Sequence, residues 1–357
     1  PFFRQGPSAL TRLIVFASLS VFLMAVPTLV IGLLPTYETI GLAAPILLLL
    51  MRVMQGAAIG GEMPGAWVFV AEHAPNGRSG FAIGVLTAGL TLGIVLGSAM
   101  SSFVNSFWQH DEVLAWAWRV PFLIGGAFGL LAVWLRRYLH ETPVFEELRK
   151  RRELVQGLPL KVVLQGHRMA VVRVMLITWT LTAGIVVVIL MTPALVQSQY
   201  SISAAEAANA STLATLALTL GCVIYGMAVD RFGTTRVLLV GSTGLALAAG
   251  GLYWTLQHAV GHFTLAFAIS GLLVGVTGAI PSLMVNLFPA PIRFSGISFS
   301  YNVAYAICGG LTPLAVTLWL RAGEAYAPVY YVAAACLAGA LAILIARSAP
   351  SRILATE

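Results

Sequence analysis

Long apolar stretches, each about twenty residues or more, alternate along the chain with short polar breaks. Ten are recognisable: Thr11–Leu34, Leu42–Ala71, Gly80–Phe107, Trp118–Leu139, Met169–Gln199, Ala205–Val229, Thr235–Gln257, His262–Phe288, Ser295–Leu320 and Tyr326–Ala346. Lipid offers no partner for backbone N–H and C=O groups, and a helix satisfies them internally, so runs of this length predict membrane-spanning helices. The pattern predicts an all-α polytopic membrane protein.

Composition sharpens that picture. Of 357 residues, 59% are hydrophobic and 9% charged, with a mean hydropathy of +0.91, where soluble domains average about 25% charged. The net charge of +7 invites a nucleic-acid partner until its placement is followed. If the first run crosses outward, the inner loops and both tails hold almost all the basic residues, among them Arg78, Arg136, Arg137, Lys150, Arg231 and Arg293. The outer side keeps Arg119 and Arg321 beside Glu38, Asp111, Glu112, Glu206 and Glu324. This asymmetry predicts both visible ends in the cytoplasm, with the chain in the inner membrane, and accounts for the charge without nucleic acid. Cys222, Cys308 and Cys336 sit in apolar runs without paired spacing and read as small core residues. The six histidines show no ligand spacing, no phosphate-cradling glycine loop follows a strand, and no His, Asp or Ser constellation gathers at one depth. An enzyme, a metal site and a bound organic cofactor are therefore not expected.

One segment breaks the rhythm of short loops. HETPVFEELRKRRELVQGLPLKVVLQGHR, from His140 to Arg168, is polar and basic, with Pro143 and Pro159 limiting its helical pieces. It divides the chain into residues 1–139, with four runs, a cytoplasmic central loop over 140–168, and residues 169–357, with six. The two parts repeat weakly. EHAPNGRSG (Glu72 to Gly80) follows the second run and NLFPAPIRFSG (Asn286 to Gly296) the eighth, aligning Glu72 with Asn286, Pro75 with Pro289, Arg78 with Arg293 and Gly80 with Gly296. Equivalence of these loops implies two further helices before Pro1, which would make the ten runs part of a set of twelve.

Several stretches carry a family resemblance: GMAVDRFGTTR at Gly226–Arg236, IGLLPTYETIGLAAPILL, RVMQGAAIGGE, WAWRVPFLIGG followed by HETPVFEELRK, and FPAPIRFSGISFSYNVAYAICGGLTP. Together they resemble the major facilitator superfamily, and within it the metabolite:proton symporters, whose members carry citrate, 2-oxoglutarate, shikimate, dicarboxylates or proline and betaine. The resemblance spans essentially the whole chain and implies two helical bundles, a proton as coupling ion and alternating access, with the first two helices of the fold preceding residue 1. Two positions depart from the family pattern. Thr234 and Thr235 stand before Arg236 where adjacent basic residues are usual, and Asn286 stands where an acid is frequent.

The candidate chemistry lies on a few residues. On a continuous helix Arg52, Gln55 and Glu62 would share a polar face within about 80°, beside a stripe of Gly56 and Gly60. A charge at that depth must line a wet cavity or meet a partner. Arg52 reads as a fixed cation for an anionic substrate or for tuning a nearby acid, or else as a helix tether. Glu62 reads as a proton carrier or as an acid closing the cytoplasmic end. Tyr301 and Asn302, before Gly309, Gly310 and Pro313, are the substrate candidates of the second part, with Trp179 a weaker one that could equally be an interfacial anchor. Asp230, Arg231, Arg236 and Arg293 read as gate residues, with Glu72 and Arg78 doing the matching job in the first part. Gly80, Gly84, Gly89, Gly93 and Gly97 carry overlapping G-x-x-x-G spacings that predict helix packing.

These features predict a proton-coupled secondary transporter importing a small organic acid, with no obligate protein partner. An osmolyte symporter for proline or betaine is the alternative, and a non-transporting membrane sensor on the same fold a further one.

Overall fold

The computed structural model describes residues 9–59, 62–136 and 159–348, and side chains within 21–56, 62–135 and 160–345. Among the described residues all regular structure is helical. We number the main helices α1 (Ala9–Leu33), α2 (Ala43–Ile59), α3 (Glu62–His73), α4 (Ser79–Phe107), α5 (Arg119–Arg136), α6 (Arg168–Tyr200), α7 (Ala204–Phe232), α8 (Thr234–His258), α9 (Val260–Asn286), α10 (Ala290–Arg321) and α11 (Ala327–Ser348).

Each apolar run of the sequence falls on one of these helices, the second on α2 and α3 together. Among the described residues seven helices are long and apolar enough to cross a bilayer. His110–Ala117 and Arg119–Leu135 form an eighth span bent by 44°, and 21–33 and 43–56 are shorter apolar pieces. The expected central loop lies outside the described residues as far as 158, and its last part, Pro159–Gly166, is a short helix. The helix ends follow local chemistry. Ser203 caps α7 by accepting the Glu206 N–H at 3.2 Å. Gly233, at φ +83°, takes the left-handed turn that separates α7 from α8.

Packing divides the chain into two units, residues 1–63 with 104–154 and residues 64–103 with 155–357. In the first unit α1 lies against α5 through small residues. A methyl at Gly126 would come 2.7 Å from the Leu29 side chain, and one at Gly129 would come 2.6 Å from Ala25. Gln55 of α2 donates to the Thr28 hydroxyl of α1 at 2.7 Å, and Thr28 donates to the Met24 carbonyl, also at 2.7 Å.

In the second unit α7 is the central element. Gly221 meets Leu272 and Gly275 of α9, Cys222 meets Gly278, and Ala214 meets Gly271. The Gly226 side of α7 receives α4, where a methyl on Gly84 would stand 2.6 Å from the Cys222 carbonyl. Apolar residues gain little from one another in lipid, so this backbone proximity is what holds such helices together. Among the described residues three spans include π-helical winding, α6 over Ala183–Met191, α10 over Tyr305–Gly309 and the bent span over Val113–Ala117. Such distortions often mark functional sites.

Candidate functional site

In the first unit the charged residue of interest is Arg52, which lies roughly 14 Å along α2 from its first residue at about 1.5 Å per residue. It is exposed within the protein and lines a cavity of about 460 Å³ with Leu34, Tyr37, Pro45, Trp118 and Phe122 among its other walls. Its Nη1 donates to Gln55 Oε1 at 3.3 Å. Because Gln55 is itself tied to Thr28, a relay of hydrogen bonds fixes the cation and leaves most of its five donors for other acceptors. Behind two of the wall residues, Arg119 lies over the Trp118 ring at 4.5 Å and donates to the Leu34 carbonyl at 3.0 Å. An apolar chamber with one fixed guanidinium is suited to a small solute bearing a carboxylate.

Glu62 is the first described residue of α3, and α2 is described as far as Ile59. The relative phase of Arg52 and Glu62 depends on residues 60 and 61, which lie outside the described residues.

The second unit gathers the residues read as a gate. The Asp230 carboxylate, at the end of α7, accepts the backbone N–H of Gly80 through Oδ1 and of Phe81 through Oδ2, each at 2.7 Å. These N–H groups belong to the first turn of α4 and have no acceptor within their own helix, so the carboxylate caps a positive helix end. Arg78 and Arg231 flank it around a cavity of about 430 Å³, with Arg231 5.4 Å from the Phe232 ring. Arg236 is exposed on the first turn of α8. Glu72 and Arg293 form an ion pair at 2.5 Å, and Arg293 Nε donates to the Phe288 carbonyl at 3.3 Å. The acid of one repeated loop therefore pairs with the base of the other. The mirror-related pair would join Arg78 to Asn286, but Asn286 is neutral and donates to the Ser282 carbonyl at 2.8 Å.

The glycines of α4 separate into two faces. Gly80 and Gly84 make the tight crossing with α7, while a methyl at Gly89, Gly93 or Gly97 would meet nothing within 4 Å. At about 100° per residue, Gly80, Gly84, Thr91, Ser98 and Ser102 fall within about 40° of one another, and Gly89, Gly93 and Gly97 roughly 100–180° away. The sequence reading overlooked that stripe. Along it Thr91 bonds Thr219 at 2.9 Å, Ser98 bonds Thr215 at 3.1 Å, and Ser102 bonds Asn209. Gly93 and Gly97 instead line a cavity with Leu190, Pro193 and Ser211.

Among the substrate candidates of this unit, Trp179 Nε1 donates to the Tyr331 hydroxyl at 3.0 Å, and that hydroxyl lies 2.6 Å from Thr312 Oγ1. Trp179 is thereby a tether between α6 and α11. Asn302 donates to the Ser298 carbonyl at 2.7 Å. Tyr301 is buried against Trp67, a residue missed in the sequence because it stands alone among apolar neighbours on α3.

Comparison with known proteins settles the family. The model of the Major Facilitator Superfamily matches residues 10–194. A putative proline/betaine transporter of Staphylococcus aureus (strain COL) is 33% identical over 342 residues, covering 91% of this chain and 70% of that protein. The chain belongs to the major facilitator superfamily. The glycine betaine/proline/ectoine/pipecolic acid transporter OusA of Dickeya dadantii (strain 3937) is 29% identical, over 91% of this chain and 67% of that one. In shape the facilitator is similar to the proton:xylose symporter XylE bound to 6-bromo-6-deoxy-D-glucose, with a TM-score of 0.69 at 18% identity, over 95% of this chain and 83% of that structure. It is thus a multi-pass membrane transporter of the all-α facilitator fold, not an enzyme. On that fold, Glu72 and Arg293 tie together the two loops that the repeat makes equivalent, and Asp230 ties Gly80 and Phe81 to the end of α7.

Proposed function

We propose that this facilitator carries small zwitterionic osmolytes of the proline and betaine kind across the inner membrane, coupled to protons and by alternating access. The observation that carries the reading is the 33% identity to a proline/betaine transporter over 91% of the chain, which favours the osmolyte alternative over the organic-acid reading. The Arg52 chamber is compatible with either class, because a zwitterion presents a carboxylate just as an organic acid does. In this reading Arg52 draws the carboxylate into its chamber and Gln55 holds Arg52. The Asp230 cap on α4 and the Glu72–Arg293 pair stabilise the state in which the cytoplasmic loops are closed, and must break when they part. The charge asymmetry supports cytoplasmic ends for the visible chain.

The test is uptake by the full-length carrier in proteoliposomes of labelled proline, glycine betaine, 2-oxoglutarate, citrate and shikimate, with and without an imposed inward proton gradient. Saturable, gradient-stimulated uptake of proline or betaine is expected. Uptake restricted to the organic acids would return the substrate class to the first expectation, and silence with all five would remove the transport reading.

A further inference from the structure

Trp67 is 2% exposed, and its indole N–H meets no acceptor among the described residues. Buried donors almost always find partners, so one that does not asks for a reason. Its ring stands edge-on to Tyr301, with centroids 5.0 Å apart and planes at 89°, and Tyr301 lies 5.4 Å from Tyr305 at 47°. The three rings form a continuous, largely buried aromatic cluster between α3 and α10, within one packing unit. It sits where α10 adopts π winding over Tyr305–Gly309, next to Gly310, around whose missing side chain there is open space. No Asp or Glu occurs on α10, and Glu62 and Glu72 stand at the two ends of α3, five residues either side of Trp67. A cation arriving at these rings would therefore be attracted by their electron-rich faces rather than by a neighbouring carboxylate.

We propose that Trp67, Tyr301 and Tyr305 form a specificity-determining subsite for the substrate's alkylated ammonium group, and that the Trp67 N–H donates to its carboxylate. The inference rests on the osmolyte reading and deepens it. The aromatic faces select a positive head, and the indole donor, unpartnered among the described residues, selects solutes that bring an acceptor.

The experiment is inhibition of labelled betaine uptake by the full-length carrier in proteoliposomes, using two analogues. In 3,3-dimethylbutanoate carbon replaces the cationic nitrogen of betaine, and choline lacks the carboxylate. Wild type should prefer unlabelled betaine to either by about tenfold or more, the size of a desolvated cation–π contact for 3,3-dimethylbutanoate and of a charge-assisted hydrogen bond for choline. Tyr301→Leu should lose the preference over 3,3-dimethylbutanoate while Tyr301→Phe keeps it. Trp67→Phe, which keeps a ring and removes the N–H, should lose the preference over choline and retain that over 3,3-dimethylbutanoate. Ratios within one variant do not depend on how much protein folds. Should Tyr301→Leu fail to reach the membrane, 3,5-difluorotyrosine at 301 replaces it and should weaken the first preference. Unchanged ratios in these variants, or a wild type that does not distinguish the analogues, would overturn the subsite while leaving osmolyte transport standing. A wild type that takes up neither proline nor betaine would overturn both.

Discussion

Replacing Asp230 by Asn probes the cap on α4 with almost no change of shape. The carboxylate accepts two backbone N–H groups at 2.7 Å each, and hydrogen bonds to a charged partner are worth about 1.5–3 kcal/mol apiece. Its charge at a helix N-terminus adds roughly 0.3–1 kcal/mol. The amide of Asn keeps one acceptor and turns a donor toward the second N–H, so one bond and the charge are lost. The bonded arrangement of α4 and α7 should then weaken by about 2 kcal/mol, a change of roughly thirtyfold in its population relative to the separated one. Spin labels at Asn76 and Phe232, flanking the cap, report that population through their distance distribution. The variant should shift weight to longer distances, and Asp230→Ala, which loses both acceptors, should shift it further. A distribution identical to wild type in both variants would refute the claim that this carboxylate holds the two helices together.

The glycine faces of α4 make a paired prediction: Gly84→Ala drives a methyl to 2.6 Å from the Cys222 carbonyl and should cost about 1–3 kcal/mol, while Gly89→Ala should be neutral or slightly stabilising, as read by thermal unfolding in detergent. Breaking the Glu72–Arg293 pair by Glu72→Lys or Arg293→Glu should lower the transport rate, and combining the two, which restores opposite charges, should recover much of it; no recovery would make the pair incidental. The hydroxyl seam should appear in a double-mutant cycle of Thr91→Val and Thr219→Val as a coupling of about 0.5–1.5 kcal/mol, with additivity counting against it. Arg52→Gln should raise the KM for proline and betaine at least about tenfold, with Thr28→Val giving a smaller rise because it loosens only the relay that steadies Arg52.

The spans were legible because lipid imposes one rule on every segment that crosses it, and the ten apolar runs map onto helices accordingly. The gate residues could be nominated from repeated loops, but their partners could not. Glu72 and Arg293 are 221 positions apart, and the Asp230 partners are main-chain N–H groups that leave no mark in the side-chain pattern. For α4 the G-x-x-x-G spacing was read without its phase. Taking angle into account joins Gly80 and Gly84 to Thr91, Ser98 and Ser102 and sets Gly89, Gly93 and Gly97 apart. Arg52 pointed to a carboxylate, and a carboxylate is common to organic acids and zwitterions, so that residue could not choose between them.

The most direct test of the account is the current produced when betaine is applied to proteoliposomes of the full-length carrier on a solid-supported membrane. Betaine has no net charge, so any charge moved with it is the coupling ion. The account predicts saturable inward positive current with betaine and with proline, increasing as the outside is acidified, and none with 2-oxoglutarate or citrate. Currents or labelled uptake with the organic acids, together with silence for both zwitterions, would contradict it.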